Sequence, residues 1–315
     1  GNFEWEDYLE IIKKPGLFNP EKGYIATANQ NVTPEDYDRW DAIGFDWADP
    51  YRGNRVNNVI EGTDKFDMED MINLQIDYFS IPSKQIIELS KGHIKNNIEH
   101  FEKLSKWNNV LDKNSVEAGI YIEWQNQIHF EFIMEFVPKE VQKYIEIQIY
   151  KVIEGISKMD DKQKSLFLDK TFDKAIKSLK EKYGADSNGW IYGQNNYKHV
   201  KIYHPLEKVV NDSIKNIIAL KTYPRGGDGY TPGSTSNELN QKSGGSFRVV
   251  INTKDWDNSY ATNSPGQSGN PKSEFYKNLY EDWANDKFFP LLYSKNKILM
   301  NLSDRKVYRP SDQSE

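Results

Sequence analysis

Asp255-Trp256-Asp257-Asn258-Ser259, followed eight residues after Asn258 by Gly266-Gln267-Ser268-Gly269, is the most informative stretch of this 315-residue chain. Ser246–Thr253 and Ser259–Asn263 on either side read as strands, and Asp255–Asn258 as the turn between them. Asp and Asn close such turns by accepting hydrogen bonds from the local backbone. Two acids and an amide so close together also suggest acid/base or metal chemistry. The architectural reading is preferred, with Gly266 and Gly269 supplying permissive backbone angles.

Working outward, residues 224–246 form a Gly/Ser/Thr/Asn-rich loop. It is long for a compact domain, so it is either mobile or wrapped over a neighbour. Downstream, Lys272–Asn285 reads as helix and Ile298–Leu302 as a last short strand. Upstream, the pattern is helical from Asp67 to about Gly184. Asp67 is an N-cap with Asp70 three residues on, and Ile86, Ile87, Leu89, Ile94, Ile98, Phe101 and Leu104 give one apolar face. Ile120–Phe136, Val141–Ile156 and Leu166–Tyr183 are further predicted helices, with Gly184 as a stop. Residues 1–60 are turn-rich, and Gly23–Ala28 reads as a short strand ending at Asn29.

Composition narrows the function classes. A net charge of −6, with no basic stripe, argues against nucleic acid. No apolar run approaches a membrane span. The chain has no cysteine, which excludes disulfides, thiolate metal sites and a cysteine nucleophile within it. Its five histidines show no paired metal spacing.

By residue type alone, Asn29 caps a strand or closes a turn with Gln30, Asn31 and Pro34. Arg55 pairs an acid such as Asp46 or Asp49, Arg52 is structural, and Asp41 is a solvated surface aspartate. His204, before Pro205, has no Ser or Cys motif to serve and reads as structural. The aromatic run from Trp283 to Tyr293 reads as packing.

Several of these segments together resemble the penicillin acylase family of N-terminal-nucleophile hydrolases. They are Gly23-Tyr24-Ile25-Ala26-Thr27-Ala28-Asn29, the Asp46–Val56 segment, Gly226-Gly227-Asp228, His204-Pro205-Leu206, Asp255–Ser259 with the Pro265–Gly269 loop, and Trp283–Tyr293. The resemblance implies an α+β chain, part of an αββα sandwich with a large helical insertion. Residues 1–60 would carry core strands and the active-site loop, 61–223 the helical region, and 224–315 strands returning to the core sheet. It implies Asn29 as a donor to the oxyanion, with Asn31 a rival by register, and Arg55 beside the active site. It points to Asp41 as a ligand of a structural calcium in the full protein, with no cofactor required for the chemistry. The family's nucleophile is the first residue of its large subunit. Gly1 has no nucleophilic side chain, so the implied role is the C-terminal part of an acylase.

The expected partners are therefore the N-terminal part of the same precursor and a small N-acyl substrate. No nucleic acid or membrane is expected, self-association is, and a periplasmic or secreted location would follow if the protein is like bacterial members. Hydrolysis of a β-lactam or related N-acyl amide is the leading expectation, with the isolated chain inactive. Acyl-homoserine lactone deacylation and a non-catalytic binding module are the alternatives.

Overall fold

The computed structural model describes residues 4–5 and 7–308. Gly1, on which the argument about the nucleophile turns, lies outside the described residues. The α-helices run α1 (Tyr51–Glu61), α2 (Met68–Gln75), α3 (Ile81–Ser90), α4 (Ile98–Ser105), α5 (Val116–Phe136), α6 (Ile149–Ser157), α7 (Asp161–Tyr183), α8 (Asp212–Ile218), α9 (Tyr280–Ala284) and α10 (Lys295–Met300). The strands are β1 (His199–Val200), β2 (Tyr223–Pro224), β3 (Arg248–Val250), β4 (Tyr260–Thr262) and β5 (Phe289–Pro290). The chain is thus α+β, and it divides into two compact units.

The first unit takes residues up to 65, 76–202 and 224–244. Its centre is the first half of α5, where every residue from Ala118 to Gln125 is buried. A helix stretch buried all round must be enclosed by its neighbours, and α7 supplies the main wall with Leu168, Phe172, Ala175 and Ile176. Trp124 meets Phe172 edge-on at 4.9 Å, and its indole N–H donates to Thr171 Oγ1 at 3.1 Å. Gly119 is required where it stands, because a Cβ there would lie 2.0 Å from the Trp190 carbonyl oxygen. Ser115 and Asp160 cap α5 and α7 through the N–H groups of Ala118 and Gln163. Gly184 ends α7 at φ 90°.

The expected apolar face between Ile86 and Leu104 belongs to two helices, α3 and α4, separated where Gly92 and Asn97 take left-handed angles. Of the predicted helix over 141–156 only α6 forms. The Gln142 amide donates to the carbonyls of Ile133 and Val137, sealing the end of α5 before the chain turns. The predicted strand over 23–28 is absent. Among the described residues no main-chain hydrogen bond joins Tyr24–Thr27 to another segment, and an extended run without a ladder is not a strand. Helix α1 was not anticipated.

The second unit takes residues 66–75, 203–223 and those from 245 on. Asp67 and Asp70 each accept the other's main-chain N–H, at 2.9 and 3.0 Å, and so start α2. Strand β4 lies antiparallel between β3 and β5, with Val249 opposite Ala261 and Ala261 opposite Phe289. The 255–258 turn therefore joins paired strands as expected. Asp257 Oδ1 accepts the N–H groups of Tyr293 and Ser294 at 2.8 and 2.9 Å, tying the turn to the start of α10. These two donors hold its carboxyl below the ordinary range. In place of the predicted strand over 298–302, residues 298–300 end α10, which Ser294 caps, and 301–302 follow it outside any helix or strand. The predicted helix over 272–285 is reduced to α9 and a single 3₁₀ turn, Glu274–Tyr276. The Gln267 and Ser268 N–H groups both take the Phe275 carbonyl. Trp283 is fully buried, and its indole N–H donates to Gly245.

Candidate active site

Asn29 and the start of α1 form one hydrogen-bonded corner of the first unit. Asn29 has φ 68°, an angle that Asn tolerates better than most residues. Its carbonyl accepts the Ala48 N–H at 3.1 Å. Its side-chain Oδ1 accepts from Arg52 Nη2 at 2.8 Å. Arginine only donates, so the amide's oxygen faces Arg52 and its NH₂ points the other way. Among the described residues that NH₂ has no hydrogen-bond partner, and Asn29 is exposed. Beside it, Gln30 Oε1 accepts the Ala28 N–H at 2.6 Å, and the Gln30 amide fills the space above Gly53 on α1. Asn31, the rival by register, accepts the Thr33 N–H and closes a turn.

Arg55 turns elsewhere. Its Nε and Nη2 reach Asp77 Oδ2 at 2.8 and 2.6 Å, and its guanidinium lies over the Phe79 ring at 4.4 Å. Its acid is Asp77, neither Asp46 nor Asp49. Arg52, one turn earlier on the same helix, is the arginine that touches Asn29. Nothing in the sequence signals that contact, because it joins residues 23 apart and depends on the angle at which α1 leaves Pro50.

Asp49 stands at the head of α1. Its two oxygens accept the N–H groups of Tyr51 and Tyr150, at 3.2 and 3.4 Å. Burial raises its carboxyl above the ordinary range, offset in part by those two donors and by Arg52. Tyr24, in the motif before Asn29, is anchored on α1 by its hydroxyl, which donates to Glu61 at 2.6 Å.

Among the cavities of the first unit that flank this corner are two of about 620 Å³ each. One is mainly apolar, with Leu17, Ile25, Ala26, Val32 and Ile43 in its wall. The other is polar and contains Asp46, Asp49, Arg52, Glu146, Tyr230 and Asn237. Trp47 stands in both walls.

Asp41 is remote from any cage of oxygens. It is exposed and paired with Arg39 at 3.4 Å. Among the described residues no three His, Cys, Asp or Glu side chains come together as a metal site. Calcium needs six or more oxygens, and the described neighbours of Asp41 do not fit it. In the second unit His204 caps a 3₁₀ turn, its Nδ1 accepting the Leu206 N–H while Glu207 takes its own N–H.

The 224–244 loop is largely buried against its own unit. Arg225, Asp228, Thr231, Thr235 and Gln241 are enclosed. Asp228 accepts the Tyr230 N–H and exchanges hydrogen bonds with Thr231, closing a turn.

A model of the penicillin amidase family matches residues 1–299. The chain belongs to the penicillin amidase family. Among curated relatives, it is 23% identical to the acyl-homoserine lactone acylase QuiP of Pseudomonas fluorescens (strain Pf0-1), over 92% of this chain and 39% of that one. It is also 23% identical to the penicillin acylase 2 proenzyme of Pseudomonas sp. (strain SE83), over 95% of this chain and 40% of that one. The chain thus spans about two fifths of the length of the curated relatives it matches. Among solved structures, the thermostable penicillin G acylase from Alcaligenes faecalis superposes with a TM-score of 0.63 at 13% identity, over 100% of this chain and 62% of that one. At that identity the likeness is one of fold. Among the described residues no helix is long and apolar enough to cross a membrane.

Proposed function

We propose that this chain supplies the oxyanion-binding corner of an N-acyl amidohydrolase whose nucleophile is carried by a separate segment, the N-terminal part of the same precursor. The single observation that carries the proposal is the orientation of Asn29. Its oxygen is held by Arg52 and its NH₂ faces outward. A neutral amide donor fixed in this way serves an oxyanion without taking the nucleophile's proton.

In the proposed reaction the nucleophile is an N-terminal residue whose own α-amine is the base, with a reference pKa of about 8. It attacks the amide carbonyl, the amine leaves, and an acyl-enzyme forms that water releases as the acid. Asn29 Nδ2 donates to the carbonyl oxygen as it takes on charge. Arg52 keeps the donor in place. Arg55 acts at one remove, fixing α1 through Asp77. Asp41 has no part in the reaction.

The partner segment also accounts for exposed apolar surface near the N-terminal end. Trp5, Ile12 and Phe18 are 98%, 88% and 91% exposed, more than a free surface ordinarily carries in one stretch. Without that segment the same surface would drive self-association.

The names of the relatives favour two substrate classes. One is a β-lactam amide, after the penicillin acylase; the other is an acyl-homoserine lactone, after the more numerous acyl-homoserine lactone acylases. The test is to purify the protein from its source, sequence the N-terminus of every co-purifying chain, and assay both classes with wild type and Asn29→Ala. A chain starting with Ser, Thr or Cys, with hydrolysis that collapses in the variant, supports the proposal. Hydrolysis untouched by the substitution overturns the role of Asn29. Failure to hydrolyse any N-acyl amide overturns the reaction.

A further inference from the structure

The polar cavity beside Arg52 is walled in part by Gly229, Tyr230 and Asn237. These residues belong to a stretch, 225–240, with no helix or strand of its own. Such a stretch holds one shape only if something replaces the missing ladder. Part of the answer is local. The Gly229 N–H donates to Asn237 Oδ1 at 2.9 Å, the Thr235 N–H to the Asp228 carbonyl at 2.9 Å, and the Thr235 hydroxyl to the Gly226 carbonyl at 2.8 Å.

The rest comes from one side chain. The carbonyls of Thr235, Ser236 and Glu238 converge, and Lys198 Nζ meets them at 2.8, 3.0 and 3.1 Å. An ammonium has three donors, and each is spent on one main-chain carbonyl. Lys198 is 1% exposed. Ser234 and Ser236, next to the point of convergence, hold left-handed angles of 46° and 75°. Such angles persist only where the surroundings impose them. Asp228 is the buried countercharge, and Arg225 and Glu238 are the other charged groups that act on the ammonium. Burial is the largest influence and, with Arg225 beside it, brings the ammonium's pKa down to about 8, while Asp228 and Glu238 favour the charged form.

We propose that Lys198 is a positioning residue, an internal cation that gathers three loop carbonyls as a bound metal ion would. It thereby holds the Gly229–Asn237 wall of the cavity beside Arg52. The inference rests on the proposed function only in taking that cavity as part of the site. Neither the loop motif nor the Asn29 corner assigns Lys198 a role.

The test uses amide exchange of the 315-residue chain, so loss of the hydrolase reading leaves its result standing. In Lys198→Met, protection at the Gly229, Thr235 and Gln241 amides is expected to fall by about tenfold or more, with α5 amides unchanged. Unchanged protection at those three amides overturns the proposal. A second variant covers the case in which Lys198→Met does not fold. The chain has no cysteine, so Lys198→Cys is alkylated uniquely in denaturant and refolded beside wild type. 2-Bromoethylamine restores an ammonium at the length of lysine; propyl iodide gives its uncharged isostere. The aminoethyl form is expected to regain protection and the propyl form to lack it. An aminoethyl form without protection, or a propyl form with full protection, overturns the assignment.

Discussion

Arg52 and Asn29 are joined through one oxygen. Arg52 Nη2 donates to Asn29 Oδ1 at 2.8 Å, and that contact decides which end of the amide faces outward. Asn29→Asp keeps an acceptor for Arg52 but replaces the outward NH₂ with a second acceptor. The fold should therefore hold while hydrolysis by the assembled enzyme falls by about 10²–10³. Steady-state kinetics beside thermal melting of the same sample checks both halves. Asn29→Gly, which accepts the left-handed angle without strain, should lose as much activity. Arg52→Lys should fall between these variants and wild type, because a single ammonium fixes the amide less rigidly than the guanidinium fork.

Arg55 and Asp77 form a different kind of pair, both partly buried, with Asp77 Oδ1 also accepting the Phe79 N–H at 2.6 Å. Removing the cation leaves a carboxylate short of partners in a partly dry place. Arg55→Ala should cost about 1–3 kcal/mol in chemical denaturation. Arg55→Ala together with Asp77→Asn should cost less than the two single changes summed. Additive losses would show that the pair is not coupled.

The motifs made the family legible in the sequence; the contact between Arg52 and Asn29 was not. The Asp255–Asn258 turn between β3 and β4 was readable because turn formers stand between two short runs that carry β-prone residues, Phe247–Ile251 and Tyr260–Thr262. Helices were expected over 120–136 and 166–183, and α5 and α7 cover both. Helix α1 was missed because Tyr51-Arg52-Gly53-Asn54-Arg55 carries few apolar residues and an internal glycine, and it is held by what packs on it. The run Ile298–Leu302 is too short for its period to separate strand from helix, and the cap at Ser294 decided the matter. The strand expected before Asn29 failed because a strand is a property of two segments, and the sequence of one cannot supply the other.

Glu131 gives the helical unit an acid-sensitive contact. Burial pushes its carboxyl up, but hydrogen bonds from Lys170 and Lys174, at 2.8 and 2.5 Å, outweigh burial and hold it below its ordinary value. A folded-state value below the unfolded one means that the contribution is present above the unfolded pKa, about 4.3, and is lost as pH falls through the folded value. Glu131→Gln should therefore lower stability at pH 7 and flatten its decline between about pH 5 and pH 3. Melting temperatures across that range read the difference; parallel curves for variant and wild type would exclude it.

Gly119 offers a steric test. A methyl group there would meet the Trp190 carbonyl oxygen at 2.0 Å. The facing atom is main chain and cannot swing aside. Gly119→Ala should destabilise by about 1–3 kcal/mol or more, despite alanine's better helix propensity. A more stable variant would mean that α5 and the 190–197 segment slide apart at little cost.

The chain passes between its two compact units five times, after residues 65, 75, 202, 223 and 244. No single cut separates them. During synthesis, the helices up to residue 183 leave the ribosome long before the 224–244 stretch that completes their unit, and residues 203–223, which belong to the other unit, emerge in between. The first unit thus waits, unfinished, until residue 244 has been made. A chaperone that shelters apolar helices would have its longest task there, and a stop codon anywhere before 244 would leave both units incomplete.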